Sequence, residues 1–338
     1  GGFYYARSSI ASGAFAPDIE STAQALSILE RCGLLDRLDA RMREGFIRFF
    51  RSKQDPATGL FYDSDPNMRL DDVMVGRARG YSLHALAKLG AEPPYPRPVR
   101  SGATPDYMAT PRSFAAWLRG VSLANSWRGC DKLSHCGAHL DALEPERRAP
   151  FVREAFAYLN SIQDPETGFW GDGTPYVRLS GTFKLHLFYR RYEVPMPRQE
   201  QLYRSILRVL RTEEAFDMCY VRNPISLVAS MQPAIAPDEM QFIAETTLAN
   251  LARLKKADGG FSREREHSPP APNVAQVKPG ESYPDMPVPV PLGLGLAEGD
   301  MNAGTQAVLV RNTLRELAGL PPVPLAAADA FIRTLVRA

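Results

Sequence analysis

The sequence has few cysteines, little net charge and no long apolar run. Four cysteines in 338 residues (Cys32, Cys130, Cys136 and Cys219) are too few and too scattered for a disulfide framework, so we expect reduced thiols. The chain has 40 Lys and Arg residues and 38 Asp and Glu residues, which gives a net charge of +2. Its arginines are spread along the chain instead of being clustered, which argues against a nucleic-acid surface. No apolar run approaches the roughly 20 residues that a membrane span requires.

The remaining composition is typical of a compact soluble domain. Hydrophobic residues make up 44% of the chain, enough for a large core, and we treat residues 1–338 as a single domain. The first residues, GGFYYARSS, lack a charged segment followed by an apolar one, which favours a cytoplasmic location. This start is typical of a chain from which a signal peptide has been removed, so a secreted or periplasmic location is the alternative.

A repeated sequence motif is the most informative feature of the chain. Residues 46–63 read FIRFFRSKQDPATGLFYD, and residues 156–172 read FAYLNSIQDPETGFWGD. Residues 248–262 contain a diverged third copy, LANLARLKKADGGFS. Each copy runs from an apolar stripe at helical spacing into a turn that contains glycine. The sequence therefore predicts one structural unit that recurs.

The Asp-Pro-x-Thr-Gly turn has a physical reading of its own. Its aspartate can accept hydrogen bonds from nearby backbone, its proline presets φ, and its glycine can take positive φ, so the turn ends a helix sharply. Gln54 and Gln163 precede the turns, where their amides can bond exposed backbone at the helix end. The following aromatic can fold back onto that helix. This motif is structural rather than catalytic.

Apolar periodicity predicts helices throughout, with no competing strand pattern. Twelve helices are predicted, at residues 19–31, 38–51, 72–89, 112–121, 132–143, 146–161, 178–192, 199–211, 216–231, 237–255, 301–317 and 326–336.

Odd-numbered helices in this series carry small or apolar residues on several faces, whereas even-numbered ones are amphipathic with charged faces. Buried helices inside a ring of solvated ones is the simplest packing for that alternation. We therefore predict an all-α fold, an (α/α)6 toroid of six helical hairpins. Residues 263–299 are rich in proline and have no helical period, so we expect an ordered extended loop or lid there.

The repeats resemble the QW-type repeats of the prenyltransferase and squalene-hopene cyclase superfamily. That pattern places an aromatic and an aliphatic residue before Gln, then Gly, then an aromatic. Tyr158, Leu159, Gln163, Gly168 and Trp170 match it almost throughout; Phe50, Gln54, Gly59 and Phe61 match it less fully; and Asp258, Gly259, Gly260 and Phe261 resemble the ending of prenyltransferase repeats. Similar turns occur in unsaturated glycuronyl hydrolases, which share the six-hairpin toroid. The resemblance implies a toroid and leaves its chemistry open.

In such a toroid, inner-helix ends that meet long loops line a central cup. Its polar residues are expected to be Asp18, Glu20, Asp71, Asp72, Arg77, Trp127, Arg128, Asp131, His135, Asp172, Tyr176, Arg178, Lys184, Asp217, Tyr220, Arg222, Asn223, Glu298, Asp300 and Asn302. Many of the acids also suit plain helix capping.

The favoured interpretation is a carbohydrate-active enzyme, a glycoside hydrolase or polysaccharide lyase on an acidic or modified glycan. Asp71 or Asp72, with Asp131 and His135, are the expected proton-transfer groups. The expected ligand-binding residues are cations and an amide for an anionic group, Arg77, Arg128, Arg178, Lys184, Arg222 and Asn223, and aromatics for sugar rings, Trp127, Trp170, Tyr176 and Tyr220.

An isoprenoid enzyme is the first alternative. Asp71 aligns with the acid of class II terpene cyclases, but Arg69 stands where that family has its first aspartate, and a guanidinium there would lower the pKa of the acid. Three tryptophans are also few for a carbocation cup. A noncatalytic toroid that binds a ligand or partner is the second alternative.

No cofactor is expected, with zinc as the alternative at one of two places. Asp217 and Cys219 resemble the Asp-x-Cys zinc ligands of prenyltransferases, although the only later histidine, His267, falls in the proline-rich loop. The other place is Cys130, His135 and His139; on a helix the two histidines share a face, while the neighbouring Cys136 points elsewhere.

Overall fold

The computed structural model describes residues 1–95, 105–141 and 143–337. Within these ranges the chain is all-helical and contains no strand, so the all-α prediction is confirmed. The helices are α1 (Arg7–Ala11), α2 (Ile19–Arg31), α3 (Ala40–Ser52), α4 (Asp72–Lys88), α5 (Pro111–Gly120), α6 (Ser126–Leu140), α7 (Pro145–Ile162), α8 (Pro175–Arg191), α9 (Gln199–Thr212), α10 (Met218–Met231), α11 (Pro237–Leu254), α12 (Met301–Leu317) and α13 (Ala328–Arg337).

Six of these helices contact one another in a closed order. Helix α2 packs on α4, α4 on α6, α6 on α8, α8 on α10, α10 on α12, and α12 on α2. Helices α3, α7, α9 and α11 each contact one or more members of this ring. The ring members are the odd-numbered helices of the sequence prediction. We call these six the inner helices.

The inner helices approach closely where their side chains are smallest. Helices α6 and α8 share the most extensive contact in the ring. A Cβ built on Gly181 of α8 would lie 2.0 Å from Ser126 Oγ and 2.5 Å from the Ser126 carbonyl oxygen. Only a glycine allows the two backbones to meet at that distance, because any side chain would push them apart.

The repeat turns have the structure that their sequence predicts. Asp55 Oδ1 accepts hydrogen bonds from the backbone of Ala57 and Thr58, and Asp164 does the same two and three residues on. Gln163 Nε2 donates to the Gly168 carbonyl at 2.9 Å, and Gln54 makes the equivalent bond at 2.9 Å. The turns end α3, α7 and α11, so consecutive copies are two hairpins apart.

Helix boundaries differ from the prediction mainly at α6. This helix begins at Ser126, six residues before the predicted start at 132, because Asn125 caps it by accepting a hydrogen bond from the Arg128 backbone at 3.1 Å. Gly129 interrupts the apolar pattern without ending the helix. Helix α8 begins at Pro175 rather than at 178, since proline is well suited to the first helical position.

Residues 263–299 lie across the start of several inner helices. The Asn125 side chain at the start of α6 donates to the Gln276 carbonyl at 3.2 Å, and Arg128 Nε donates to the Asp285 carbonyl at 2.7 Å. At the start of α10 the Met218 backbone donates to the Arg263 carbonyl. The loop is thus tied to the same end of the ring at several points. Among the described residues, no helix is long and apolar enough to cross a membrane.

Candidate functional site

A cavity of about 910 Å³ lies between the inner helices. Every inner helix contributes to its wall, and the loop contributes Arg263, Pro272 and Gln276. Helix α12 lines it from Asn302 to Glu316, a span of about 21 Å at 1.5 Å per residue. The cavity therefore runs most of the length of the inner helices, and its volume is in the range of ligand pockets.

Basic side chains outnumber acidic ones in the wall. Among the residues that the structure describes, its charged side chains are six basic, Arg31, Arg77, Lys184, Arg190, Arg222 and Arg263, and two acidic, Asp131 and Glu316. Aromatic side chains are fewer: Tyr81, Trp127 and Phe183. An excess of cations in a concave, partly desolvated space favours an anionic ligand.

Arg77 is held by an acid that lies behind the wall. Its Nη2 contacts both carboxylate oxygens of Glu20, at 2.7 and 2.8 Å. Glu20 Oε1 also accepts from Gln24 Nε2 at 3.0 Å and from Asn302 Nδ2 at 3.2 Å. These contacts join three inner helices, α2, α4 and α12, and they hold the guanidinium in place at the wall.

Asp131 and Lys184 form an ion pair across α6 and α8, with Nζ 3.0 Å from Oδ1. Burial opposes ionisation of Asp131, but Lys184 and Arg77 outweigh it and lower the pKa of this carboxyl. Asp131 therefore carries its negative charge at neutral pH. Burial lowers the pKa of the Lys184 ammonium, which Asp131 opposes.

Arg222 has neutral partners. Its Nε donates to Gln306 Oε1 at 3.1 Å, and its guanidinium lies 4.0 Å from the ring centroid of Phe183. Gln306 in turn donates to Asn302 Oδ1 at 2.7 Å and accepts from the Cys219 thiol at 3.4 Å. Arg222 is thus positioned without being neutralised.

Arg263 anchors the loop at the top of the cavity. Its Nε lies 2.9 Å from Asp217 Oδ1, and its Nη1 donates to Asn302 Oδ1 at 3.1 Å. Its backbone donates to Asp300, whose pKa burial raises to about 6. Because Asp217 also caps α10 through the Cys219 backbone at 2.7 Å, this ion pair joins the loop to that helix.

Several buried polar atoms in the wall have no hydrogen-bond partner among the described residues. They are Gln24 Oε1, His186 Nε2, Asn223 Oδ1 and both amide atoms of Gln276. Buried polar atoms are nearly always hydrogen-bonded, to protein or to water. Burial lowers the pKa of His186 to about 4, so its imidazole is neutral at physiological pH. These atoms are available to a polar ligand.

The cavity brings together part of the set predicted from sequence. Asp131, Arg77, Trp127, Lys184, Arg222, Asn223 and Asn302 all lie in its wall. The remaining predicted residues do not line it.

Asp71, Asp72 and Arg128 lie away from the cavity wall. Asp71 caps α4 by accepting from the Val73 backbone at 3.0 Å, and its other oxygen lies 3.3 Å from Arg128 Nη1. Asp72 is exposed in the first turn of α4. The two predicted site residues Asp71 and Arg128 thus pair with each other. Arg69, expected beside Asp71, lies over the ring of Tyr62.

His135 packs between α4 and α6 instead of facing the cavity. A Cβ on Gly76 would lie 1.8 Å from His135 Cε1, and the His135 ring meets the His139 ring edge-on. Burial and the neighbouring His139 lower the pKa of His135. Its predicted proton-transfer role has no support from this position.

Trp170 lies in the second repeat turn, and Arg178 of α8 binds that turn. Trp170 is fully buried and its Nε1 donates to the Leu159 carbonyl at 2.8 Å, so it has no free face for a sugar. Arg178 lies 2.8 Å from Asp164 Oδ2 and donates to the Gly171 carbonyl. Both side chains fasten the turn to its helices.

Tyr176 and Tyr220 stack on each other, with ring centroids 4.6 Å apart. Both are buried, at 3% and 1% exposure, and neither lines the cavity. Each satisfies the other's apolar face, which excludes stacking on a ligand.

The residues of the two predicted zinc sites make other contacts. Asp217 is paired with Arg263, and Cys219 contacts Gln306. Cys130 is fully buried 3.7 Å from Ser126 Oγ, and burial raises the pKa of its thiol to about 12. In the part of the chain that the structure describes, no group of three or more His, Cys, Asp or Glu side chains is arranged to hold a metal ion.

Sequence reasoning missed the deeper wall of the cavity. It located the site at the helix starts, whereas Gln24, Arg31, Tyr81, His186 and Arg190 lie further along the inner helices. The available signal was polar residues at helical spacing on otherwise apolar helices, such as Gln24, Ser27 and Arg31. A buried helix with such a stripe faces something polar.

Comparison with known proteins gives no assignment: no protein-family model matches this chain, and no curated protein matches it.

Proposed function

We propose that this chain is an enzyme that acts on an acidic carbohydrate, with the cavity between the inner helices as its site. The observation that carries the proposal is the excess of basic over acidic side chains in a long polar cavity, six against two. Unpartnered amide oxygens and the His186 nitrogen add hydrogen-bond acceptors, which suit the hydroxyl groups of a sugar.

The ligand carboxylate is assigned to Arg77 and Lys184. Both cations line the cavity wall, Arg77 on α4 and Lys184 on α8. Trp127 and Tyr81 supply flat apolar faces in the same wall, against which sugar rings can stack.

The carboxyl groups in the cavity wall favour elimination over hydrolysis as the reaction. A glycosidase requires two carboxyl groups flanking the bond, one of them protonated. Asp131 has a lowered pKa and stays ionised, and Glu316 lies at the far end of α12. An ionised carboxylate beside groups that neutralise a uronate instead suits removal of the proton next to that uronate carboxylate.

A ligand carboxylate that pairs with Lys184 and Arg77 releases Asp131 from its ion pair, and Asp131 takes the proton from the carbon next to the ligand carboxylate. The electron pair forms a carbon–carbon double bond, and the bond to the glycosidic oxygen breaks. Tyr81, whose pKa burial raises, keeps its proton at neutral pH and gives it to the departing oxygen.

The test is incubation with a panel of uronate-containing polysaccharides. We expect ultraviolet absorbance from the new double bond together with new reducing ends, and loss of both in Asp131→Asn. Asp285→Asn is the matched control, since it breaks another Asp–Lys pair, with Lys132, outside the cavity wall. Reducing ends without absorbance would indicate hydrolysis, and binding without turnover would indicate a binding protein. If no acidic glycan binds or turns over, the proposal is wrong.

A further inference from the structure

The cavity holds three arginines that no carboxylate neutralises. Arg31, Arg190 and Arg222, which we call the arginine cluster, form no ion pair with any described residue. The other basic wall residues, Arg77, Lys184 and Arg263, each have an acidic partner. The cluster is thus distinct in kind from the Arg77 and Lys184 site.

Two members of the cluster meet on one stretch of α12. Arg31 Nη1 donates to Thr305 Oγ1 at 3.1 Å, and Arg222 Nε donates to Gln306 Oε1 at 3.1 Å. Thr305 and Gln306 are consecutive, so the two guanidinium groups are held at the same level of the cavity. Their mutual repulsion contributes, after burial, to the lowered pKa of Arg31.

His186 lies close to Arg222, because its ring centroid is 5.1 Å from that of Phe183, over which the Arg222 guanidinium lies at 4.0 Å. The charges of Arg190 and Arg222 add to burial in lowering its pKa. Its Nδ1 is 3.0 Å from the Phe183 carbonyl, which can only accept, so Nδ1 carries the proton and Nε2 is an acceptor. The side chain is 4% exposed and Nε2 has no partner. A ligand that fills this place must bring a hydrogen-bond donor.

Helix electrostatics do not account for the cluster. Cations favour the last turn of a helix, which suits Arg31 and Arg190, but Arg222 lies in the first half of α10, where the helix dipole disfavours a cation. Glu316 lines the same cavity and reduces the local positive charge without cancelling it. Keeping these cations together unpaired costs stability that a bound anion would offset.

We infer that the arginine cluster and His186 form a second anion subsite, which binds a tetrahedral oxyanion, sulfate or phosphate, next to a hydroxyl group. The guanidinium groups contact the oxyanion, and the hydroxyl donates to His186 Nε2. Guanidinium groups suit this chemistry because their planar forks match tetrahedral oxyanions. The inference goes beyond the proposed uronate site and concerns different residues.

The test uses inorganic sulfate and inorganic phosphate as probes, titrated calorimetrically into the full chain. We expect at least one to bind with a dissociation constant of about 1 mM or tighter. Arg31→Gln and Arg222→Gln should each weaken binding about tenfold or more. Arg204→Gln, on the exposed face of α9 in an ion pair with Glu200, should leave it unchanged.

The two probes also distinguish the sources of the group. Hydrogen phosphate carries its own O–H donor for His186, whereas sulfate does not, so tighter phosphate binding would identify a phosphate ligand. Equal or tighter sulfate binding would identify a sulfate ester with the hydroxyl supplied by the sugar. Absence of binding by both ions, or binding unchanged in both cluster variants, would overturn the inference. Because the probes contain no uronate, this result is independent of the proposed function.

Discussion

Replacing Gly76 with alanine tests whether His135 is a packing residue. A Cβ there would lie 1.8 Å from His135 Cε1 and 2.7 Å from Nε2, so the imidazole must move. Overpacking of this kind costs about 1–3 kcal/mol, and the better helix propensity of alanine returns about 1 kcal/mol. We expect Gly76→Ala to lower the free energy of unfolding by about 0–2 kcal/mol in the wild-type protein.

The sign of this effect should reverse once the imidazole is absent. In a His135→Ala background the new methyl group has no atom of the ring to meet, so Gly76→Ala should stabilise by about 1 kcal/mol. The coupling between the two sites, measured by urea unfolding of all four proteins, is then about 1–3 kcal/mol.

Gly80→Ala is the matched control. Gly80 lies one turn further along α4, and a Cβ there meets nothing within 4 Å. It should stabilise both backgrounds equally, by up to about 1 kcal/mol. If Gly76→Ala stabilises the wild-type protein as much as Gly80→Ala does, His135 does not pack on α4, and the packing role assigned to it is wrong.

Three further predictions follow from buried groups. Gln163→Ala should lower the free energy of unfolding by about 1–3 kcal/mol, because the Gln163 amide donates hydrogen bonds to the Gly168 and Pro197 carbonyls at 2.9 Å each. Gln241→Ala, at an exposed position, should change the free energy of unfolding little, and equal effects of the two substitutions in urea unfolding would contradict this. Burial raises the pKa of Asp18 to about 8, against about 4 in the unfolded chain, so between these pH values the folded state holds a proton that the unfolded state has lost, and the free energy of unfolding falls as pH rises. Asp18→Asn should flatten that fall in urea unfolding at a series of pH values, and an unchanged pH profile would argue against the raised pKa. Burial raises the pKa of the Cys130 and Cys136 thiols to about 12, so mass spectrometry should find both unalkylated in the folded protein at pH 8 and modified after unfolding; rapid labelling of either in the folded state would count against their burial.

The fold could be predicted from the sequence where local chemistry decides it. The turn at Asp164, with its glycine at positive φ and the anchored Gln163 amide, needs only neighbouring residues to form. The apolar character of alternate helices identifies the inner ring for the same reason, since each helix carries its own pattern. The early start of α6 was missed because Gly129 looks like a breaker, while the cap at Asn125 decides the boundary.

The site could be predicted only in part, because it depends on pairings between distant residues. Glu20 and Arg77 are 57 positions apart, and nothing local indicates that Glu20 holds Arg77 at the wall. Asp71 and Arg128, also 57 apart, looked like two independent site residues until their contact placed them together outside the cavity. Charge at a helix start is ambiguous between a cap and a site, and that ambiguity produced most of the misplaced residues.

A crystal structure of the protein with a uronate oligosaccharide tests the central claim most directly, which is that six inner helices enclose a cavity for an acidic ligand. We predict electron density for the sugar between these helices, with its carboxylate against Arg77 and Lys184. Sugar bound on the outer surface, or inner helices packed together with no cavity between them, would contradict the account.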